Sequence, residues 1–236
     1  GSSAGAAALV ARINGNPIKS VYVYSKPEWT ALVAGKDSGI ETVADLKGKT
    51  VAVTRGTDPH IFLVRALQAV DLSERDITPV LLQHPDGATA LIRGDVDAWA
   101  GLDPMMAASE IDGGARLFHR NAEANTWGVL NVRESFAQAN PEIVERVLRV
   151  YEEAREWSLA NPDALVAALV AVTQLPSEVI ARQLERTELT HGPIGQRQAE
   201  AILAAGLALQ EAGVLDARAD VAQTVADLID GTYLPE

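Results

Sequence analysis

The chain contains no cysteine. Thiolate nucleophiles, disulfides and Cys-ligated zinc or iron–sulfur sites are therefore excluded, and the absence is compatible with an oxidising compartment without establishing one. Basic clusters are missing as well. Twenty Lys and Arg stand against 32 Asp and Glu, for a formal net charge of -12, and no stretch gathers the cations that a phosphate backbone demands. This argues against a nucleic-acid partner. It leaves room for a small anion, which a helix N-terminus and one or two Arg hold locally. No apolar run approaches the roughly 20 residues of a membrane span. Neither a dinucleotide glycine triplet nor a phosphate-loop Lys is present. The chain opens Gly1-Ser2-Ser3-Ala4-Gly5-Ala6-Ala7-Ala8-Leu9, without Met or a charged leader. It reads either as a cloning scar or as the middle of a longer sequence.

What remains is a globular composition, 47% hydrophobic and 22% charged, in 236 residues. That length fits one large domain or two of about a hundred residues each. The chain is organised around residues 50–65, Thr-Val-Ala-Val-Thr-Arg-Gly-Thr-Asp-Pro-His-Ile-Phe-Leu-Val-Arg. Val51–Val53 reads as a buried strand, Thr54-Arg55-Gly56-Thr57-Asp58 as a polar turn, and Ile61, Val64, Leu67 and Gln68 keep helical spacing. A strand, a hydroxyl-bearing glycine turn and a helix place free N–H groups and a positive dipole end beyond the strand's carboxyl end. Pro59 fits the first helical turn. The form is an anion cradle or an ordinary strand–helix connection.

Along the chain, 6–13 reads as a helix stopped by Asn14-Gly15-Asn16-Pro17. Residues 19–25 and 29–34 read as strands, 42–49 as a helical turn ended by Gly48, and 78–82 as a strand. A helix at 88–93, a strand at 98–100, a helix from 103 to 109 with Pro104 at its first position, and strands at 116–119 and 127–132 follow. This alternation argues for a mixed, mostly parallel sheet flanked by helices, an α/β fold. After Arg133 the pattern turns helical, with starts at Asn140-Pro141, Asn161-Pro162 and Pro176-Ser177, then helices at 196–212 and 221–229.

Several segments together resemble the periplasmic solute-binding proteins of ABC importers, in the aliphatic sulfonate, taurine and nitrate group. The segments are Gly1-Ser2-Ser3 with the Ala-rich helix and Asn14-Gly15-Asn16-Pro17; Asp37-Ser38-Gly39-Ile40; Val43-Ala44-Asp45-Leu46-Lys47-Gly48-Lys49; Val51-Ala52-Val53-Thr54-Arg55-Gly56-Thr57; Leu63-Val64-Arg65-Ala66-Leu67; Gly94-Asp95-Val96-Asp97-Ala98-Trp99-Ala100; and Asp103-Pro104. They occur in the family's order and cover roughly residues 1–135. The resemblance implies a two-lobe periplasmic-binding-protein (type II) fold. Residues 1–35 would be part of lobe I without its first βαβ unit, 36–126 lobe II, and 127–236 the return to lobe I.

The resemblance also implies a ligand site. Gly56 and Thr57 would give an N–H and a hydroxyl to an anion, unless Thr54 or Thr57 merely caps the helix. Ser2 and Ser3 would donate to the same head group from the other lobe. Neutral donors suit a sulfonate, which is always ionised. Trp99 is either a wall for the ligand's tail or core packing. Asp103 either favours an amine such as taurine's or caps the Pro104 helix. Trp29, Asn125, Thr126 and Trp127 would lie at the crossings between lobes, and Glu28 would meet a cationic group. Arg55 points to solvent or to the anion. His60, His84, His119 and His191 share no metal-ligand spacing, and His60 is expected on the solvated surface of its helix. The expected function is non-enzymatic. The protein would be a monomeric, cofactor-free subunit that captures a small anion, chiefly an alkanesulfonate, between two lobes for a membrane permease, in the periplasm or anchored by lipid at the outer membrane face. The alternatives are an enzyme of the same fold, of thiamine-pyrimidine synthase or desulfinase type, and a ligand-sensing domain. Zero cysteines exclude the Cys-dependent form of desulfination.

Overall fold

A computed structural model describes residues 1–190 and 192–233, so His191 lies outside the described residues. In chain order the elements begin with β1 (Ser2–Ala4), α1 (Gly5–Ile13), β2 (Ile18–Pro27), β3 (Leu32–Ala34), β4 (Thr50–Val53) and α2 (Asp58–Gln68). They continue with β5 (Thr78–Leu81), α3 (His84–Arg93), β6 (Ala98–Ala100), α4 (Met105–Gly113), β7 (Arg116–His119) and β8 (Gly128–Arg133). The remainder is α5 (Glu134–Ala139), α6 (Pro141–Ala160), α7 (Pro162–Thr173), α8 (Ser177–Leu184), β9 (Thr187–Glu188), α9 (Gln196–Glu211) and α10 (Val221–Leu228). These form two compact units. The first holds Gly1–Pro27, Thr126–Gln174 and Thr187–Glu236; the second holds Glu28–Asn125 and Leu175–Arg186.

The first unit is built on a four-stranded sheet of order β1-β8-β2-β9, whose ladders are all antiparallel. Successive residues of a strand face opposite sides, and the core follows that rule. Val129 packs with Leu9, Trp127, Ile202 and Leu228 under α1, α9 and α10. Leu130 packs with Tyr22, Val144 and Leu148 under α6. Gly206 brings α9 close to its neighbours, for a Cβ there would sit 2.5 Å from Leu9 Cδ2 and 2.7 Å from Val221 Cγ1.

The second unit carries a five-stranded sheet of order β5-β4-β6-β3-β7. Val51 and Val53 face a core with Leu46, Phe62, Leu63 and Leu67, whereas Ala52 faces Leu91, Val96, Trp99 and Met106. Strand β4 runs parallel to β5 and β6, while β3 runs antiparallel to β6 and β7.

The α/β expectation is met, but the mostly parallel sheet is corrected. Parallel ladders arise where α2 and α3 provide the crossovers that parallel neighbours require. Chain order would also pair β1 with β2 across α1, yet β8 inserts between them and is antiparallel to both. Helix α3 begins at His84 and not at Ala88, because Pro85 occupies the first turn, where its missing N–H costs nothing. Pro104 is the cap residue of α4 and not its first helical residue. The short α5 and the two-residue β9 were not expected.

Candidate functional site

The 54–57 turn follows β4 and opens α2 as expected, but its polar groups are largely used within the turn. Thr57 is the N-cap by backbone conformation, yet its hydroxyl donates to Thr54 O at 2.6 Å and caps no N–H. The Thr54 hydroxyl donates to Leu82 O at 2.6 Å and lies 3.2 Å from His84 Nδ1. Burial holds His84 below the ordinary imidazole range. The Gly56 N–H donates to His60 Nδ1 at 3.2 Å. Arg55 is exposed.

His60 corrects its expected surface role. It is 0% exposed, and its Nε2 lies 3.0 Å from Glu74 Oε1. Since Nδ1 accepts from Gly56, the ring hydrogen sits on Nε2 and donates to Glu74. Position 60 stands four residues beyond Gly56, a reach that the sequence offered; the Glu74 partner had no local signal. Asp58, in the first turn of α2, is buried and accepts from Trp29 Nε1 at 3.2 Å. Trp29 is thus half-buried and tied to a carboxylate.

Trp99 corrects the tail-wall reading. Its side chain is 1% exposed in the core beside Leu91, Val96 and Met106. It seats against α3 because a Cβ on Gly87 would fall 2.8 Å from Trp99 Nε1. No hydrogen-bond partner for that Nε1 is found among the described residues. Asp103 corrects the amine-binding reading in favour of its alternative. Its Oδ1 accepts from Ala107 N at 3.0 Å inside α4 and from Arg186 Nη2 at 3.0 Å. Arg186 also donates from Nη1 to Glu110 at 2.7 Å. Burial pushes the Asp103 carboxyl up to about 6, outweighing the downward pull of Arg186. Glu28, expected to meet a cationic ligand group, is held in two hydrogen bonds by Arg120 at 2.9 and 2.6 Å. Asn125 closes onto the Thr30 backbone, accepting from Thr30 N at 3.0 Å.

In the first unit, Ser2 is exposed on β1. The Ser3 hydroxyl donates to Ala4 O at 3.0 Å and accepts from Asn131 Nδ2 at 2.8 Å. Both serines line a cavity of about 540 Å³ with Ala7, Ala11, Ile18 and Phe136. Thr126 and Trp127 sit at the start of α1: Gly5 N donates to Trp127 O at 2.8 Å and Ala6 N to Thr126 Oγ1 at 3.4 Å. Trp127 is 2% exposed, with Lys26 Nζ at 5.3 Å and Arg197 Cζ at 5.1 Å from its ring centre. Residue-by-residue reading missed both cations, which lie far from Trp127 in sequence.

A second depression of about 680 Å³ in the other unit is lined by Lys36, Lys49, Arg93 and Asp97 among others, and by none of the candidate residues. Among the described residues no group of three or more His, Asp or Glu could hold a metal ion, and no helix is long and apolar enough to cross a membrane.

Comparison with known proteins places this arrangement. One stretch of 161 residues, 68% of the chain, is 34% identical to a protein of Escherichia coli (strain K12) provisionally named an aliphatic sulfonates-binding protein. That stretch spans 50% of the relative's own length. The crystal structure of the periplasmic aliphatic sulphonate binding protein SsuA from Escherichia coli superposes with a TM-score of 0.87 at 28% identity, covering 100% of this chain and 77% of that one. The alkanesulfonate-binding protein SsuA from Xanthomonas axonopodis pv. citri, bound to MOPS, gives 0.86 at 28% identity over 98% of this chain and 80% of that one. The fold is that of the periplasmic binding proteins. Residues 1–165 match the NMT1/THI5-like family, and the chain belongs to that family.

Proposed function

We propose that this chain is the solute-binding component of an ABC importer and captures a small aliphatic sulfonate for uptake. The observation that carries the reading is the 28% identity and 0.87 TM-score, along the whole chain, to a sulphonate-binding protein. The chemistry agrees with it. A sulfonate keeps its charge at any working pH, accepts hydrogen bonds only, and is matched by hydroxyl, amide and cationic donors. Ser2 and Ser3 are the proposed contacts in the first unit, since in the second the Thr57 hydroxyl and the Gly56 N–H are already engaged. The protein is read as a binding protein and not an enzyme, working outside the cell membrane as a monomer, free or lipid-anchored, beside a membrane permease.

A thermal-shift panel of alkanesulfonates, taurine, nitrate and phosphonates tests this. A ligand at about a hundred times its dissociation constant adds roughly 2.7 kcal/mol, a rise of several degrees in Tm for a chain of this size. A rise with sulfonates is expected. No rise with any sulfonate, or a rise only with a compound that is also consumed, overturns the reading.

A further inference from the structure

The cavity of about 540 Å³ beside β1 has no acid in its lining, within a chain of 32 acidic side chains. Its polar side chains are Ser2, Ser3, Asn131 and Arg133, and its apolar ones come from α1, β2, β8 and α5. By contrast, Asp37, Asp45 and Asp97 line one depression of the second unit, and Asp86 and Asp95 another. We infer that this cavity is the ligand site of the first unit, that Arg133, Ser2 and Asn131 take the anionic head group, and that the ligand is an alkanesulfonate with a plain aliphatic tail and no amine. The inference rests on the sulfonate reading above and names its charge partner and its substrate class.

Strand alternation builds the polar side. Paired residues of antiparallel neighbours share a face, so Ser3, opposite Val129, lies on the face that also carries Asn131 and Arg133 of β8. Ser20, 0% exposed, donates to Asn131 Oδ1 at 2.7 Å, which turns Asn131 Nδ2 to Ser3 Oγ at 2.8 Å. An amide nitrogen of this kind carries two hydrogens, and the second has no acceptor among the described residues. Ser3 therefore serves by holding Asn131, its own hydrogen being turned to Ala4 O. The Ser2 hydroxyl has no hydrogen-bond partner among the described residues. Arg133 stands about 7 Å beyond Asn131 along β8. It is exposed and has no carboxylate partner among the described residues, while the adjacent Glu134 is held by Arg12 at 2.7 Å. The one cation of the lining side chains is thus available to an arriving anion.

Small side chains build the apolar side. Ala7 and Ala11 stand one turn apart on α1, and their methyl groups leave a width that longer side chains would occupy. Phe136 lies on the cavity and stays 39% exposed, an aromatic surface that packing within the chain leaves open. The volume falls within the roughly 300–1,000 Å³ of small-molecule sites. The ammonium of an aminosulfonate would give up water here without meeting a carboxylate, whereas each methylene of an alkyl tail that is buried improves affinity about fourfold.

The test is calorimetric titration of methanesulfonate, ethanesulfonate, butanesulfonate and taurine into the wild-type chain and into Arg133→Gln, Ala11→Leu and, as a control for net charge, Arg146→Gln. The wild type should bind butanesulfonate at least about tenfold tighter than methanesulfonate, and ethanesulfonate tighter than taurine. Arg133→Gln should raise every Kd about tenfold and flatten its dependence on salt, with the Tm of the unliganded protein unchanged because Arg133 has no partner to lose. Ala11→Leu should weaken butanesulfonate more than methanesulfonate, a selective loss that misfolding cannot mimic, and the control should change neither. Sulfonate binding that is the same in wild type, Arg133→Gln and Ala11→Leu overturns the inference and leaves the sulfonate reading standing, as does taurine binding tighter than ethanesulfonate. If the wild type binds butylphosphonate and no sulfonate, with the same Arg133 and Ala11 dependence, the cavity stands and the sulfonate reading falls. If it binds no anion, both fall.

Discussion

His60 has no exposed surface and is bonded at both ring nitrogens, to Gly56 N and to Glu74. It stands at the third position of α2, where a side chain commonly reaches back to the chain entering the helix. The same ring pins the glycine of the 54–57 turn and ties it to the segment at Glu74. Replacement by Leu removes both hydrogen bonds and leaves the exposed Gly56 N–H and the part-exposed Glu74 carboxylate to water. A hydrogen bond contributes about 0.5–1.5 kcal/mol net, so His60→Leu should lower the urea midpoint by a corresponding amount. His60→Gln offers one acceptor and one donor and should recover most of it. Equal losses in the two variants would mean that ring packing, and not the hydrogen-bond pair, is what the site needs.

At the scale of elements, close approach of helices depends on single small residues. Gly206 lies within α9, where glycine is unfavourable by about 1 kcal/mol relative to Ala. Replacing it should therefore strengthen the isolated helix. The added Cβ, however, would sit 2.5 Å from Leu9 and 2.7 Å from Val221, both of which are buried and enclosed by α1, α9 and α10. Overpacking of this kind costs typically about 1–3 kcal/mol, which exceeds the propensity gain. Gly206→Ala is expected to be net destabilising in chemical unfolding, with far-UV circular dichroism unchanged. A stabilised variant would show that Leu9 and Val221 yield more readily than their burial implies.

At the scale of the whole molecule, Asp103, Glu110 and Arg186 join parts of the chain that are distant in sequence. Arg186 ends the segment by which the C-terminal part of the chain rejoins the second unit. Burial pushes Asp103 up to about 6, above an unfolded value of about 3.9. A carboxyl with a raised folded pKa binds its proton more tightly in the fold than in the unfolded chain. Its stabilisation is whole below about pH 4 and is lost as pH rises through about 6. Urea midpoints for wild type and Asp103→Asn between pH 4 and 7 would read this. Wild type should lose stability relative to the variant as pH rises across that window. A relative gain would show that the Arg186 pair outweighs desolvation and keeps the carboxylate ionised.

The alternating pattern of Val51, Ala52 and Val53, the prolines at helix starts and the glycine stops are local signals, because propensity, capping and periodicity act over a few residues. By themselves they determined the α/β class, most element positions, the lack of thiol chemistry and the place of the 54–57 turn. Fold and family resemblance were equally legible in short motifs such as Asp103-Pro104 and Gly94-Asp95-Val96-Asp97. Tertiary structure decided the rest. The insertion of β8 between β1 and β2, the burial of Trp99 against Gly87, the pairing of Asp103 with Arg186, and the meeting of Lys26, Trp127 and Arg197 all join distant residues. Whether a tryptophan walls a ligand or fills a core, and whether an aspartate is free or paired, depends on neighbours that only packing supplies.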